Sequence, residues 1–174
     1  MLGMLQTAHG QEFIKIRKIS LSKGDTTVVA GILADVKIDH VNPGVFYHWY
    51  ANGQVFSNQG GYAGNLLHGE YVEYGPDGGL LLKGSYDRGL QSGQWTYWYS
   101  NGATKEILHY ESGHLEGKMT RFGPAGRIYY SANFKKGQLH GEMTTVVNDT
   151  LFQVKYKSGI EKKRIPLHVF ENSK

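Results

Sequence analysis

Residues 89–102 read Gly89-Leu-Gln-Ser-Gly93-Gln-Trp95-Thr-Tyr97-Trp98-Tyr99-Ser-Asn101-Gly102, and their pattern returns on both sides. Gly93 has counterparts at Gly69, Gly117 and Gly141, each 24 residues from the next. Nine residues after each lies a turn: Pro76-Asp77-Gly78, Asn101-Gly102, Pro124-Ala125-Gly126 and a decayed Asn148-Asp149-Thr150. Eleven residues further on stands another glycine, at 89, 113 and 137. A fixed period of this size marks a repeat architecture. Each unit has room for two strands of about six residues and two turns, hence one β-hairpin.

Working outward, Gly44-Val-Phe46-Tyr-His-Trp49-Tyr50-Ala-Asn52-Gly53 matches Gly93–Gly102 column for column, although the copy is distorted after Gly53 and its spacing to Gly69 is 25, with one residue inserted. The repeats therefore cover about 44–160, in units of roughly 44–68, 69–92, 93–116, 117–140 and 141–160. Before them, residues 12–43 are rich in β-branched side chains and predict an N-terminal strand pair. After them, residues 161–174 read as an irregular cap or a last edge strand, with Pro166 and several lysines to block further pairing. Residues 1–11 combine a short apolar stretch with Thr7-Ala8-His9-Gly10, a signal-peptide remnant or a frayed terminus. The first of these favours export to the periplasm or cell surface over a cytoplasmic site.

Composition agrees with an all-β chain: 24 glycines, 12 tyrosines and 4 prolines in 174 residues. The expected architecture is an elongated single antiparallel sheet of consecutive β-hairpins. With no cysteine there is no disulfide, thiolate metal site or thiol nucleophile. The net charge of +4 is unevenly placed: residues 1–129 hold 11 basic and 11 acidic side chains, residues 130–174 hold 8 and 4.

The turns set which side chains share a face. A three-residue turn with glycine in the left-handed position, followed by a bulge, pairs Trp98 with Thr104, Tyr74 with Leu80, Phe122 with Ile128 and Trp49 with Val55. On that register we expect the face of Trp49, Tyr74, Trp98, Phe122 and Val146 to be buried, together with Leu82, Leu108, Tyr86, Tyr110 and Phe134. The opposite face, with Phe46, Tyr71, Trp95, Met119 and Met143 among polar residues, is expected to be half wet and to offer a row of binding anchors. Packing of that row as a second layer is the competing expectation.

The unit Gly-x-Trp-x-x-Trp-Tyr-x-Asn-Gly, a strand, then Tyr-x-x-Gly-x-x-x-Gly resembles the MORN-repeat variant of bacterial proteins. Gly93 to Gly117 is the best copy and Gly69 to Gly93 the next. Gly117 to Gly141 carries Met119 in place of the tryptophan, and Gly141 to Gly159 has lost its turn glycine. The resemblance implies a twisted sheet of hairpins and a binding or scaffolding role. Several bacterial members are known as antitoxins, and some eukaryotic relatives are linked to membranes and phosphoinositides.

The chemistry-bearing residues point to no catalyst and no cofactor. His68 and His140 occupy equivalent positions two units apart, about 20 Å at strand spacing, too far to share an ion, so no metal is expected. The glycines open no helix and so form no phosphate loop. The aromatics recur at repeat-defining positions and the repeats carry no basic excess, so no nucleic-acid partner is expected. The reading is a non-catalytic protein-interaction or scaffold module. Its alternatives are an antitoxin-like neutralising partner, or peripheral attachment to an anionic membrane surface through Lys162, Lys163 and Arg164.

Overall fold

The computed structural model describes residues 15–34, 36–148 and 150–169. Those residues form β1 (Ile16–Lys23), β2 (Thr26–Leu33), β3 (Phe46–Ala51), β4 (Gln54–Gln59), β5 (Asn65–Tyr74), β6 (Leu80–Asp87) and β7 (Leu90–Trp98). They continue with β8 (Thr104–Glu111), β9 (His114–Leu115), β10 (Gly117–Phe122), β11 (Ile128–Lys135), β12 (Gln138–Val147), β13 (Thr150–Lys157) and β14 (Ile160–Val169). All pairings are antiparallel, in the order β1-β2-β5-β6-β7-β8-β10-β11-β12-β13-β14. This is the open, single sheet of consecutive hairpins that the period of 24 predicts. The expected signal-peptide remnant at 1–11 lies outside the described residues.

Two kinds of turn alternate along the sheet, and the sequence explains both. At 75–78, 99–102 and 123–126 the glycine amide bonds back three residues, to the carbonyls of Gly75, Tyr99 and Gly123. Gly78, Gly102 and Gly126 have φ of 77°, 81° and 80°, a conformation that costs glycine nothing. On the other edge Arg88-Gly89, Ser112-Gly113, Lys136-Gly137 and Ser158-Gly159 make two-residue turns in which both residues have positive φ. The amides of Gly89, Gly113, Gly137 and Gly159 then reach the carbonyls of Leu67, Gln91, Leu115 and Leu139 at 2.7–3.0 Å. Each of these turns is thereby fastened to the preceding unit.

The first unit departs from the expected array. β3 and β4 lie off the main path, and β2 takes the place beside β5, with Val29 opposite Val72 and Ala30 opposite Tyr71. The β3–β4 turn is two residues, Asn52-Gly53, both at positive φ. Trp49 therefore faces Phe56, and Val55 faces Tyr50, which corrects the expected Trp49–Val55 pair. Residues 160–169 are the edge strand β14, the second of the two forms expected for the C-terminal end.

Candidate functional site: an apolar belt on the outer face

The expected turn pairs Trp98–Thr104, Tyr74–Leu80 and Phe122–Ile128 are all present. Beyond each pair one extra residue is bulged out: Leu81, Lys105 and Tyr129, again 24 apart. That extra residue flips the parity of the return strand, so that Trp95 meets Leu108 and Tyr97 meets Glu106. Leu82, Leu108, Tyr86, Tyr110 and Phe134 thus share a face with Tyr71 and Trp95, and not with Trp98.

The burial expectation is accordingly corrected. Of the anchor row, Tyr71, Trp95, Met119 and Met143 are buried, and only Phe46, in the displaced hairpin, is exposed, at 54%. The row runs Trp95–Leu108–Met119–Ala132–Met143–Val154 along the register. Trp95 is 1% exposed and lies across Gly84, where even a Cβ would come within 2.2 Å of its ring. The rings of Tyr71, Tyr86 and Tyr110 stand 5.0–6.2 Å from it, two of them edge-on. Burial raises the hydroxyl pKa of Tyr71 and Tyr86, and Tyr71 donates to Glu73 at 2.6 Å.

The β3–β4 hairpin covers part of this inner face. The His48 ring packs tilted against Tyr86, centroids 4.9 Å apart, and its backbone amide bonds to the Gly89 carbonyl at 2.7 Å. Burial lowers the His48 pKa, so the ring is kept neutral. Between this hairpin and β1–β2 lies a cleft of about 540 Å³, reaching Lys23, His48, Tyr71 and Tyr86. It arises from the hairpin's displacement, at the one unit whose spacing to the next, 25 from Gly44 to Gly69, departs from 24.

The opposite, outer face carries no second layer of strands among the described residues. Along its three-residue-turn edge runs an apolar belt: Tyr74, Leu80, Trp98, Thr104, Phe122, Ile128, Val146 and Leu151. These occupy eight consecutive places in the sheet, about 34 Å at the usual strand spacing. Most are half-buried, and the belt opens around Phe122, where Ile128 is 54% and Tyr129 45% exposed. Of these, Tyr74, Trp98, Phe122 and Val146 were expected on the buried face.

The histidines have a structural use. His68 and His140 accept the backbone amides of Arg88 and Ser158 at 3.2 and 3.4 Å. At the equivalent position Glu116 accepts the amide of Lys136 at 2.8 Å. All three cap the first residue of a two-residue turn. Among the described residues no three His, Asp or Glu side chains converge as metal ligands would.

At the C-terminal edge Lys162 and Lys163 are exposed on β14. Arg164 is instead held by Glu161 at 2.9 Å, with its guanidinium 5.7 Å from the Phe152 ring centre. The basic cluster therefore splits into two outward lysines and one tethered arginine.

Hairpins of fixed period, bulged at equivalent places and laid edge to edge, define an open β-hairpin repeat protein. Two of its units, residues 67–88 and 91–112, match the family model of the MORN repeat variant. Repeats of this kind are generally associated with binding and scaffold roles. No curated protein matches the chain.

Proposed function

We propose that the protein is a non-catalytic interaction or scaffold module that holds a partner protein along the outer-face belt. The observation that carries this reading is the continuity of the belt: eight consecutive strand positions, all but Thr104 filled by an aromatic or aliphatic side chain. Repeat surfaces present such lines to extended partners, and aromatic side chains are favoured anchors. Changing Trp98, Phe122 and Ile128 together to Ser should abolish photo-crosslinking of a partner from a benzophenone probe placed at position 104 in the native cell. The melting midpoint should change little compared with the loss from any inner-face variant. A folded triple variant that crosslinks undiminished would overturn the proposal. The antitoxin-like role is the special case in which the partner is a toxin, and a toxin gene beside this one would support it.

The exposed Lys162 and Lys163 favour a second reading, attachment to an anionic membrane. The tether between Arg164 and Glu161 weakens it by engaging one of the three cations. Sedimentation with phosphatidylserine vesicles at low and high salt separates the two readings.

A further inference from the structure

The sheet ends in β14, whose far side has no neighbouring strand among the described residues. An edge of this kind presents a row of backbone donors and acceptors that another chain can extend. We propose that the β14 edge takes up an extended acidic segment of a partner protein by strand addition, acidic side chains outward and apolar ones inward. The inference goes beyond the belt and does not depend on it.

Three observations converge on this occupant. First, Ile160 to Ile165 runs without a proline, and Pro166, which lacks an amide hydrogen, marks where further pairing would stop. Second, residues 150–169 hold five basic side chains and one acidic: Lys155, Lys157, Lys162, Lys163 and Arg164 against Glu161. Lys155 and Lys163 are directly paired across β13 and β14 and both are exposed, so positive charge accumulates on the outer face. Third, the two faces of the edge differ. On the inner face Arg164 folds back towards Glu161 and Phe152, beside Val154, where the buried strip ends. A strand laid against β14 would continue that strip with apolar side chains and meet Lys155 and Lys163 with acidic ones.

The same charges disfavour the obvious competitor, a second copy. Pairing β14 with β14 would bring lysines together, and like charges directly opposed are destabilising. Pairing β14 with the free β1 edge is no better, because β1 carries Arg17, Lys18 and Lys23 and no acidic residue.

The test uses the full chain and a short acetylated peptide alternating Glu and Val. Its controls are the Lys–Val counterpart, polyglutamate and phosphatidylserine vesicles. The Glu–Val peptide should bind, slow hydrogen exchange of the amides within 160–165, and weaken with added salt. K162E/K163E should lose it, accept the Lys–Val peptide instead, and keep its melting midpoint. The Trp98, Phe122 and Ile128 to Ser variant should keep Glu–Val binding, so a failure here and a failure of the belt are read separately. Three results would overturn the proposal: polyglutamate or vesicles binding equally well with β14 exchange unchanged, protection appearing elsewhere in the sheet, or β14 protection arising from self-association without peptide.

Discussion

Removing Trp95 should damage the fold far more than removing Trp98, three residues away on the same strand. Trp95 is 1% exposed, wedged between Gly84 and the rings of Tyr71, Tyr86 and Tyr110. A buried tryptophan removes about 150–250 Å² from water, worth about 4–6 kcal/mol at ~25 cal/mol per Å². The indole Nε1 is buried without a hydrogen-bond partner, so truncation also relieves a penalty of about 1–3 kcal/mol. Trp95→Ala should therefore cost about 3 kcal/mol, within the range for aromatic truncation in a core. Trp98→Ala, at a half-buried belt position that water can refill, should cost about 1–2 kcal/mol. Gly84 supplies the internal control, since a Cβ there would stand 2.2 Å from the Trp95 ring. Gly84→Ala should destabilise by about 2 kcal/mol or more as overpacking, and much less in the Trp95→Ala background, a coupling that a double-mutant cycle reads directly. Urea unfolding followed by far-ultraviolet circular dichroism gives all four values. Equal costs for Trp95 and Trp98, or a Gly84→Ala cost that ignores Trp95, would refute the assignment of the inner face.

Gly102 has φ of 81° and open space where a Cβ would stand, so Gly102→Ala should cost about 1–2 kcal/mol from backbone conformation alone. Gly102→Asn should cost less by the same urea melts. Glu116→Ala removes the cap on the Lys136 amide and should lose about 1 kcal/mol, with faster hydrogen exchange at the 136–137 turn. The His48 pKa is depressed in the folded state below its ordinary 6.5, so the unfolded chain binds the proton more readily. Stability from this group is present above that pH and falls as the pH drops through it. The urea midpoint should decline as the pH falls below about 6.5, and His48→Gln should flatten that decline.

The period, the strand pairing and the three-residue turns were legible because glycine and Asn-Gly or Pro-x-Gly sequences dictate backbone shape locally. The inner face was not. Core and surface positions repeat with the same 24-residue period, and both rows contain aromatics, so neither periodicity nor hydrophobicity separates Trp95 from Trp98. The deciding quantity is one bulged residue per hairpin, at 81, 105 and 129, which reverses the return strand. One clue lay in the small residues: Gly84 and Ala132 share a column with Leu108, and small groups facing Trp95, Met119 and Met143 are what a packed row needs. The displaced β3–β4 hairpin left a fainter trace: its sequence obeys the unit only as far as Gly53, and the spacing from Gly44 to Gly69 is 25. That β2 takes the neighbouring place rests on a register no local pattern encodes.

The two edges of the sheet divide the labour, a division that favours the belt as the proposed binding surface. On the two-residue-turn edge each glycine amide is bonded into the preceding unit, and His68, Glu116 and His140 cap the neighbouring residue. That edge is fixed in every repeat and leaves little freedom to vary. On the opposite edge the Asp77 and Asn101 side chains accept the amides of Gly79 and Ala103 within their own turns. Further cross-links there are Tyr99 to the Phe122 carbonyl at 2.7 Å and the longer Asn101 to Pro124 contact at 3.4 Å. The belt runs beside this second edge, where side chains can change without unfastening the repeat. The proposed binding surface is best placed there, where side chains can vary while the scaffold persists, and Trp98, Phe122 and Ile128 occupy it.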